Sequence, residues 1–506
     1  MIVTAGQLRA YVSEEHFDRT TRIILAALGI TAALFLVLRL RLAFYPVPLN
    51  YNEGWNAYHA LRFLQTGSPY PPRGGLVVNN YPPIWFAVVA GVGAFTDSLV
   101  SAGRIVATGG LFLVFATAAG IGATLRGPKG AIATVSTVAF VLTTQAAPYV
   151  GIADPQLLAQ GVSLFAAYLC VRASSTNDTR YYLAIAVAVF AGFIKHNLAA
   201  LPLALVLASI PVGRVAFMKC ALTAVVALVV GYGVCVLIGG PTWPLNLLSA
   251  RGYLPGHMVN ASIAFLTLNV MGLSLGILGL STLSNNHIRR VLAAWLALAL
   301  PIAIGFSGGD GVGMNVFFDA MIAMAITASL VAGDFTRAVS SSEPVSLRLP
   351  RWAGAVALAL WLTASGSLHV RDVVFEGRHA ESLSVQSAKY RLDVEKLRAL
   401  PGSAICDDLT LCYLAGKAFM YDPFNGSEAV NTGAIPAKMV SDLLRNSVQV
   451  LHVDNSAPFA YQLPTMFAGE VSTQFVEKSR NANGAFLVKR NPPEVLHASG
   501  MIGMLQ

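Results

Sequence analysis

Residues 51–56 read Tyr51-Asn52-Glu53-Gly54-Trp55-Asn56, residues 79–85 read Asn79-Asn80-Tyr81-Pro82-Pro83-Ile84-Trp85, and Gly103-Arg104 follows. The apolar run inside this stretch, 82–95, decides the orientation of everything after it. It is short for a hydrocarbon core of ~30 Å and opens with two prolines, so it reads as a helix in the outer interface. If it does not cross, the inside connections hold Arg126 and Lys129, Arg172 and Arg180, Arg214 and Lys219, Arg289 and Arg290, and Arg337, Arg348 and Arg351. Every one is basic, as cytoplasmic connections are. If the run crosses, all these cations fall outside.

Working outward, the chain has 506 residues, 55% hydrophobic and 12% charged, with a mean hydropathy of +0.62. A soluble chain would carry roughly twice that charged fraction. Apolar runs cover about 22–44, 103–124, 131–148, 156–172, 181–194, 197–212, 215–239, 261–283, 291–306, 314–333 and 352–369. The expected fold class is an α-helical polytopic membrane protein of about eleven spans, followed by a small extracytoplasmic α/β domain. Arg9, Arg19 and Arg22 before the first run suggest an uncleaved anchor with its N-terminus inside. The net charge of +9 belongs to inside loops rather than to nucleic-acid binding. Arg39 and Arg41, at the outer end of the first span, run against the pattern.

The expected domains are 1–369, a membrane domain whose first outer loop at 45–100 carries interfacial helices, and 370–506, a periplasmic α/β domain. In the second, Glu376–Leu400 has helical periodicity. Beyond it, strand-like runs Ser403–Cys406, Ser447–Val453 and Ala485–Lys489 alternate with helical Asp407–Ala415 and Ile435–Arg445. Cys406 and Cys412 would form a disulfide if this region is extracytoplasmic. Cys170, Cys220 and Cys235 read as small buried hydrophobes.

Ionisable groups at membrane depth are costly, so each is a functional hypothesis. The non-crossing topology gathers Glu53, Arg104, Asp154, Lys195-His196, Arg251 and His257 on the outer side. A carboxylate can take the proton of an attacking hydroxyl, and nearby cations can neutralise a departing phosphate. Each residue also has a structural reading. Asp154, before Pro155, suits a helix start; Lys195 and Arg104 suit headgroup contacts; Glu53 suits a solvated loop. Tyr81 and Trp85 suit an interfacial aromatic belt. Asn315 and Asp319 lie four apart and would share a helix face lining a cavity or meeting another helix. Gly308-Gly309-Asp310-Gly311 reads as a flexible outer loop. No Walker motif or metal-ligand spacing occurs.

These residues resemble the GT-C superfamily of polytopic glycosyltransferases that use lipid-phosphate sugars. Within it they are most similar to family 39-like members, relatives of protein O-mannosyltransferases and of the aminoarabinose transferase acting on lipid A. The acidic motif of the first outer loop is matched by Asn52-Glu53-Gly54, the Pro-Pro-aromatic segment by Tyr81-Pro82-Pro83-Ile84-Trp85, and the following Ala/Gly-Arg by Gly103-Arg104. A second outer acid is matched by Ala153-Asp154-Pro155, and a Lys element by Phe193-Ile194-Lys195-His196. Relatives carry Asp-Glu where this chain has Asn52-Glu53.

The resemblance implies an inverting transferase on the outer face of a bacterial inner membrane, moving a sugar from a polyprenyl phosphate to a lipid, glycan or protein acceptor. It implies Glu53 as the main catalytic carboxylate with Asp154 assisting, and Lys195 on the lipid-linked phosphate. His196, Arg104, Arg251 and His257 join Lys195 as candidate phosphate partners, and Tyr81, Trp85 and Asn315 as candidate cavity residues. A divalent metal is left open. The competing readings are a flippase of lipid-linked saccharides, which would spread charge through the midplane, and an envelope scaffold.

Overall fold

Periods of apolar residues become helices throughout the first two-thirds of the chain. The computed structural model describes residues 5–45, 48–248, 251–332, 352–378, 380–454, 463, 465–481 and 483–490. Arg337, Arg348 and Arg351, counted above among the inside cations, lie outside these residues. The chain forms two units, residues 1–70 with 79–387, and residues 71–78 with 388–506.

The first unit is helical: α1 (Ala5–Ala43), α2 (Tyr51–Thr66), α3 (Ile84–Gly93), α4 (Leu99–Thr144), α5 (Gln156–Arg172), α6 (Thr179–Gly192), α7 (Ala200–Leu207), α8 (Arg214–Gly239), α9 (Trp243–Leu247), α10 (Pro255–Ser281), α11 (Asn286–Ser307), α12 (Phe318–Ser329) and a further helix, Trp352–Arg378. Among the described residues five segments are long and apolar enough to cross a bilayer: Arg19–Ala43, Leu99–Thr144, Arg214–Gly239, Pro255–Ser281 and Asn286–Ser307. Shorter apolar helices accompany them, and the chain is a multi-pass membrane protein.

The 46 residues of α4 would span about 69 Å if straight, twice a bilayer core. Gly127, at φ 69°, and the following Pro128 break it into two helices, which is why its sequence reads as two apolar runs. At the break Arg126 donates to the Thr282 carbonyl at 2.8 Å, so this bend and the α10–α11 turn share one end of the bundle. By contrast, the ten residues of α3 extend only about 15 Å. Its Ile84, Trp85, Phe86, Val89 and Ala90 are buried against protein.

The bundle closes on α12, whose residues are buried without exception from Phe318 to Ser329. It packs against α10, α11 and α4, while α4 also packs against α1 and α5. The α4–α5 approach depends on missing side chains. A Cβ on Gly110 would meet the backbone of Leu157 and Leu158, and one on Gly161 would meet the Gly110 carbonyl.

In the second unit a four-stranded sheet has the order β1-β2-β4-β3, with β1 (Ser403–Cys406), β2 (Val448–Asp454), β3 (Phe475–Arg480) and β4 (Gly484–Lys489). β1 and β2 run parallel, with Ile405 opposite Leu451; β4 is antiparallel to both β2 and β3. Ile405, Val440, Leu444, Val448, Leu451 and Phe475 form its core, with Leu76 against them. The sequence reading did not name β3 because Glu477, Lys478 and Arg480 make it polar. That composition is the one edge strands use to avoid pairing with other chains. Cys406 and Cys412 are disulfide-bonded, and Cys170, Cys220 and Cys235 are free and buried.

Candidate active site

Glu53 lies in the first turn of α2, where Asn50 caps the helix by accepting the Asn52 N–H. Its side chain is fully buried and meets Arg104 of α4 in a two-pronged ion pair, Nε to Oε1 and Nη2 to Oε2, each 2.7 Å. Oε1 also accepts the Ala153 N–H at 3.0 Å and Oε2 the Leu49 N–H at 2.8 Å. Two carboxylate oxygens offer about four lone-pair sites, and four donors fill them. Arg104 Nη1 turns to the carbonyls of Ala43 and Tyr45, at 3.1 and 2.6 Å. One ion pair thus ties together the end of α1, the start of α2, α4 and the 151–155 turn. Neither the solvated Glu53 of one sequence reading nor the headgroup-bound Arg104 of another occurs.

Asp154 is placed by that same tie. Gly151, at φ 84°, turns the chain ahead of α5, and Asn56 Nδ2 donates to the Ala153 carbonyl at 3.0 Å. Gly103 allows the close approach, since a Cβ there would come within 2.6 Å of Ala153 Cβ. Asp154 Oδ1 accepts the Gln156 N–H at 2.9 Å, the helix-starting role that one reading gave it. Its Oδ2 is buried with no hydrogen-bond partner among the described residues. The two carboxylates that the sequence pairs are therefore unlike: Glu53 is saturated, and Asp154 keeps an oxygen in reserve.

Lys195 occupies the turn between α6 and α7, buried, with its Nζ 3.4 Å from the centre of the Tyr81 ring. Burial pushes its pKa down to about 8; Asp154 opposes the shift and Arg251 adds to it. Tyr81 is held by Trp55, edge-on at 4.9 Å, and by the Asn79 side chain, which accepts its N–H at 3.0 Å. Burial raises the Tyr81 phenol above its ordinary value, Asp154 raises it further and Arg251 lowers it. The His196 ring lies 6.3 Å from Tyr81 and 6.1 Å from Phe306. Asp154, Tyr81, Lys195, His196 and Arg251 therefore share one electrostatic neighbourhood.

Arg251 is seated by backbone pairing that the sequence reading missed. The loop at 308–310, expected to be flexible, bonds to the 252–254 segment: Leu254 N–H to Gly308, Asp310 N–H to Gly252, and a bridge from Tyr253 to Gly309. Three other expectations fall away from the cluster. Trp85 is wholly buried and packed near Gly103. His257 is exposed in the first turn of α10. Asn315 sits in a 3₁₀ turn, Met314–Phe317, that precedes α12, so it does not share a regular helix face with Asp319. Asp319 accepts the Trp295 indole N–H at 3.0 Å instead. Among the described residues no three His, Cys, Asp or Glu side chains converge as metal ligands.

No family model matches the chain, and no curated protein matches it. Solved structures do. ArnT from Cupriavidus metallidurans, bound to undecaprenyl phosphate, superposes with a TM-score of 0.61 at 10% identity, over 92% of this chain and 98% of that one. Its apo state gives 0.61 at 11% identity, over 91% and 97%. The apo oligosaccharyltransferase of Archaeoglobus fulgidus gives 0.48 at 12% identity, over 85% and 69%, too distant to bear an argument. The chain therefore has the fold of the ArnT structure.

Proposed function

We propose that this chain is a glycosyltransferase taking a sugar from a polyprenyl phosphate, with its active site facing away from the cytoplasm and its second unit on that same side. The observation that carries the reading is a buried carboxylate oxygen without a partner among the described residues, Asp154 Oδ2, in the electrostatic reach of Lys195, whose Nζ lies over the Tyr81 ring, and of the exposed Arg251. An ammonium held over a ring and given no carboxylate to pair with among the described residues is matched to an anionic ligand. Lipid availability supports the donor class: outside the cytoplasm an activated sugar must arrive on a lipid. The ArnT structure carries undecaprenyl phosphate. The Cys406–Cys412 disulfide suits an oxidising compartment.

In this reading Asp154 Oδ2 accepts the proton of the acceptor hydroxyl as that oxygen bonds the anomeric carbon. The bond from that carbon to the phosphate oxygen breaks, and its electron pair leaves on the phosphate. Lys195 and Arg251 stabilise the growing negative charge. Inversion at the anomeric carbon follows from direct attack. Glu53 and Arg104 hold Asp154 in place and touch neither reacting group.

The test presents purified protein in lipid with radiolabelled polyprenyl-phosphate sugars and extracted membranes as acceptor. Wild type transfers label; Asp154→Asn, correctly folded by thermal shift, loses it by about 10²–10⁴-fold, the range of a lost general base. Full transfer by Asp154→Asn refutes the assignment. Movement of labelled lipid across the bilayer with no transfer product establishes a flippase instead.

A further inference from the structure

Asp154 Oδ2 lacks a hydrogen-bond partner among the described residues, and α5, which starts two residues on, carries a polar face. Gln156, Gln160 and Ser163 interrupt an apolar helix at positions i, i+4 and i+7, one face of a helix. With Asn56, Asp154 and Asn197 they are buried, Asn197 being the most exposed at 7%. Six of their polar atoms have no hydrogen-bond partner among the described residues: Asn56 Oδ1, Asp154 Oδ2, Gln156 Nε2, Gln160 Nε2, Ser163 Oγ and Asn197 Oδ1. The atoms are also linked in space. Asn56 Nδ2 reaches the Ala153 carbonyl, Asp154 Oδ1 takes the Gln156 N–H, and Asn197 Nδ2 lies 3.5 Å from Gln156 Oε1.

Folded proteins leave very few buried polar groups unmet, and six of them are costly. The set mixes acceptors, amide donors and a hydroxyl, and it is neutral apart from Asp154. A molecule that both donates and accepts, and that is small, satisfies all of them. Spacing agrees: Gln156 to Gln160 rises about 6 Å along the helix. Their amide nitrogens make no direct bond to each other, and the rise is close to two bonds of roughly 2.8 Å in series. Buried water makes about three hydrogen bonds to groups of this kind.

We propose that these side chains hold a file of ordered water running roughly 10 Å down α5 from Asp154, and that its first water donates to Asp154 Oδ2 and aims that carboxylate at the acceptor hydroxyl. The second half rests on the reading of Asp154 as proton acceptor; the first does not. Gln160 and Ser163 are positioning residues, acting through the water.

The test is a structure of the full chain in lipid nanodiscs at a resolution that shows ordered solvent, with melting temperatures for Gln160→Leu, Ser163→Ala and Ser163→Thr. A hydrated file shows water at these atoms, and Gln160→Leu and Ser163→Ala melt lower while Ser163→Thr holds. A dry seam shows the amides closed on one another, and Gln160→Leu melts higher, because an unmet amide has been replaced by a hydrocarbon. That result overturns the proposal, as does density for a bound sugar there in place of water. If Gln160→Leu does not fold, Ser163→Ala decides. In the transfer assay, Ser163→Ala lowers kcat several-fold with KM for the donor unchanged, and Ser163→Thr restores it; an unchanged kcat removes the role in aiming Asp154. If wild type transfers no sugar from any donor, the reading of Asp154 fails, while the solvent and melting results still judge the water.

Discussion

At the residue scale the two outer carboxylates should separate under substitution. Glu53→Gln leaves Arg104 buried without its countercharge, and breaking a buried pair costs about 3–5 kcal/mol. Its thermal unfolding should shift well below wild type, whereas Asp154→Asn, which loses no ion pair, should melt near it. Equal melting of the two variants would show that the Glu53–Arg104 pair is not structural. Lys195 gives a pH prediction. With a folded pKa of about 8 its charge is present below that value and lost above it. Binding of undecaprenyl phosphate should therefore weaken as pH rises through about 8, and Lys195→Arg, always charged, should flatten the profile. A wild-type affinity independent of pH between 7 and 9 would exclude the ammonium from the phosphate site. The residues themselves were legible in the sequence, but not their pairings. Glu53 and Arg104 stand 51 positions apart, and nothing in local periodicity says that one saturates the other.

At the element scale, apolar runs were readable because helices in a bilayer must satisfy their own backbone, so length and hydropathy nearly suffice. What could not be read was how closely two helices approach. Gly103 and Gly110 stand seven apart on α4, facing Ala153 and the start of α5. Gly110→Ala should cost about 1–3 kcal/mol by overpacking. Gly103→Ala should push Ala153 from Glu53 and so lower transfer more than stability. Transfer rates from Gly103→Ala equal to wild type would show that the turn tolerates the shift. Asn315 and Asp319 failed as a shared face because a 3₁₀ turn ends between them. The polar face of α5 was plainly present in the sequence and passed over, because glutamine and serine carry no charge to draw the eye.

At the scale of the whole molecule, orientation and pH response are the testable consequences. A C-terminal alkaline phosphatase fusion should be active and a C-terminal GFP fusion dark; the reverse would place the second unit inside. Within that unit burial pushes Asp407 up to about 7 and Asp408 to about 6, and His452 down to about 4. The folded carboxyls keep protons that unfolded ones release near 4, so their contribution is complete below about 4 and is lost as pH rises toward 7. His452 works in the opposite sense between about 6.5 and 4, but one imidazole is outweighed by two carboxyls. Amide protection in β1 and β2 of the full chain should fall from pH 4.5 to 7, and Asp407→Asn should reduce that fall; an unaltered slope would discard the assignment. Finally, residues 71–78 belong with 388–506: Leu76 packs on the second unit's core, and its carbonyl receives the Asp422 N–H at 3.0 Å. A ribosome adds about 5–20 residues per second, so this octapeptide waits on the order of tens of seconds for partners not yet translated. Biogenesis therefore has a built-in order of completion. A message cut short after the last apolar helix would insert its membrane segments and still leave the first outer loop unfinished.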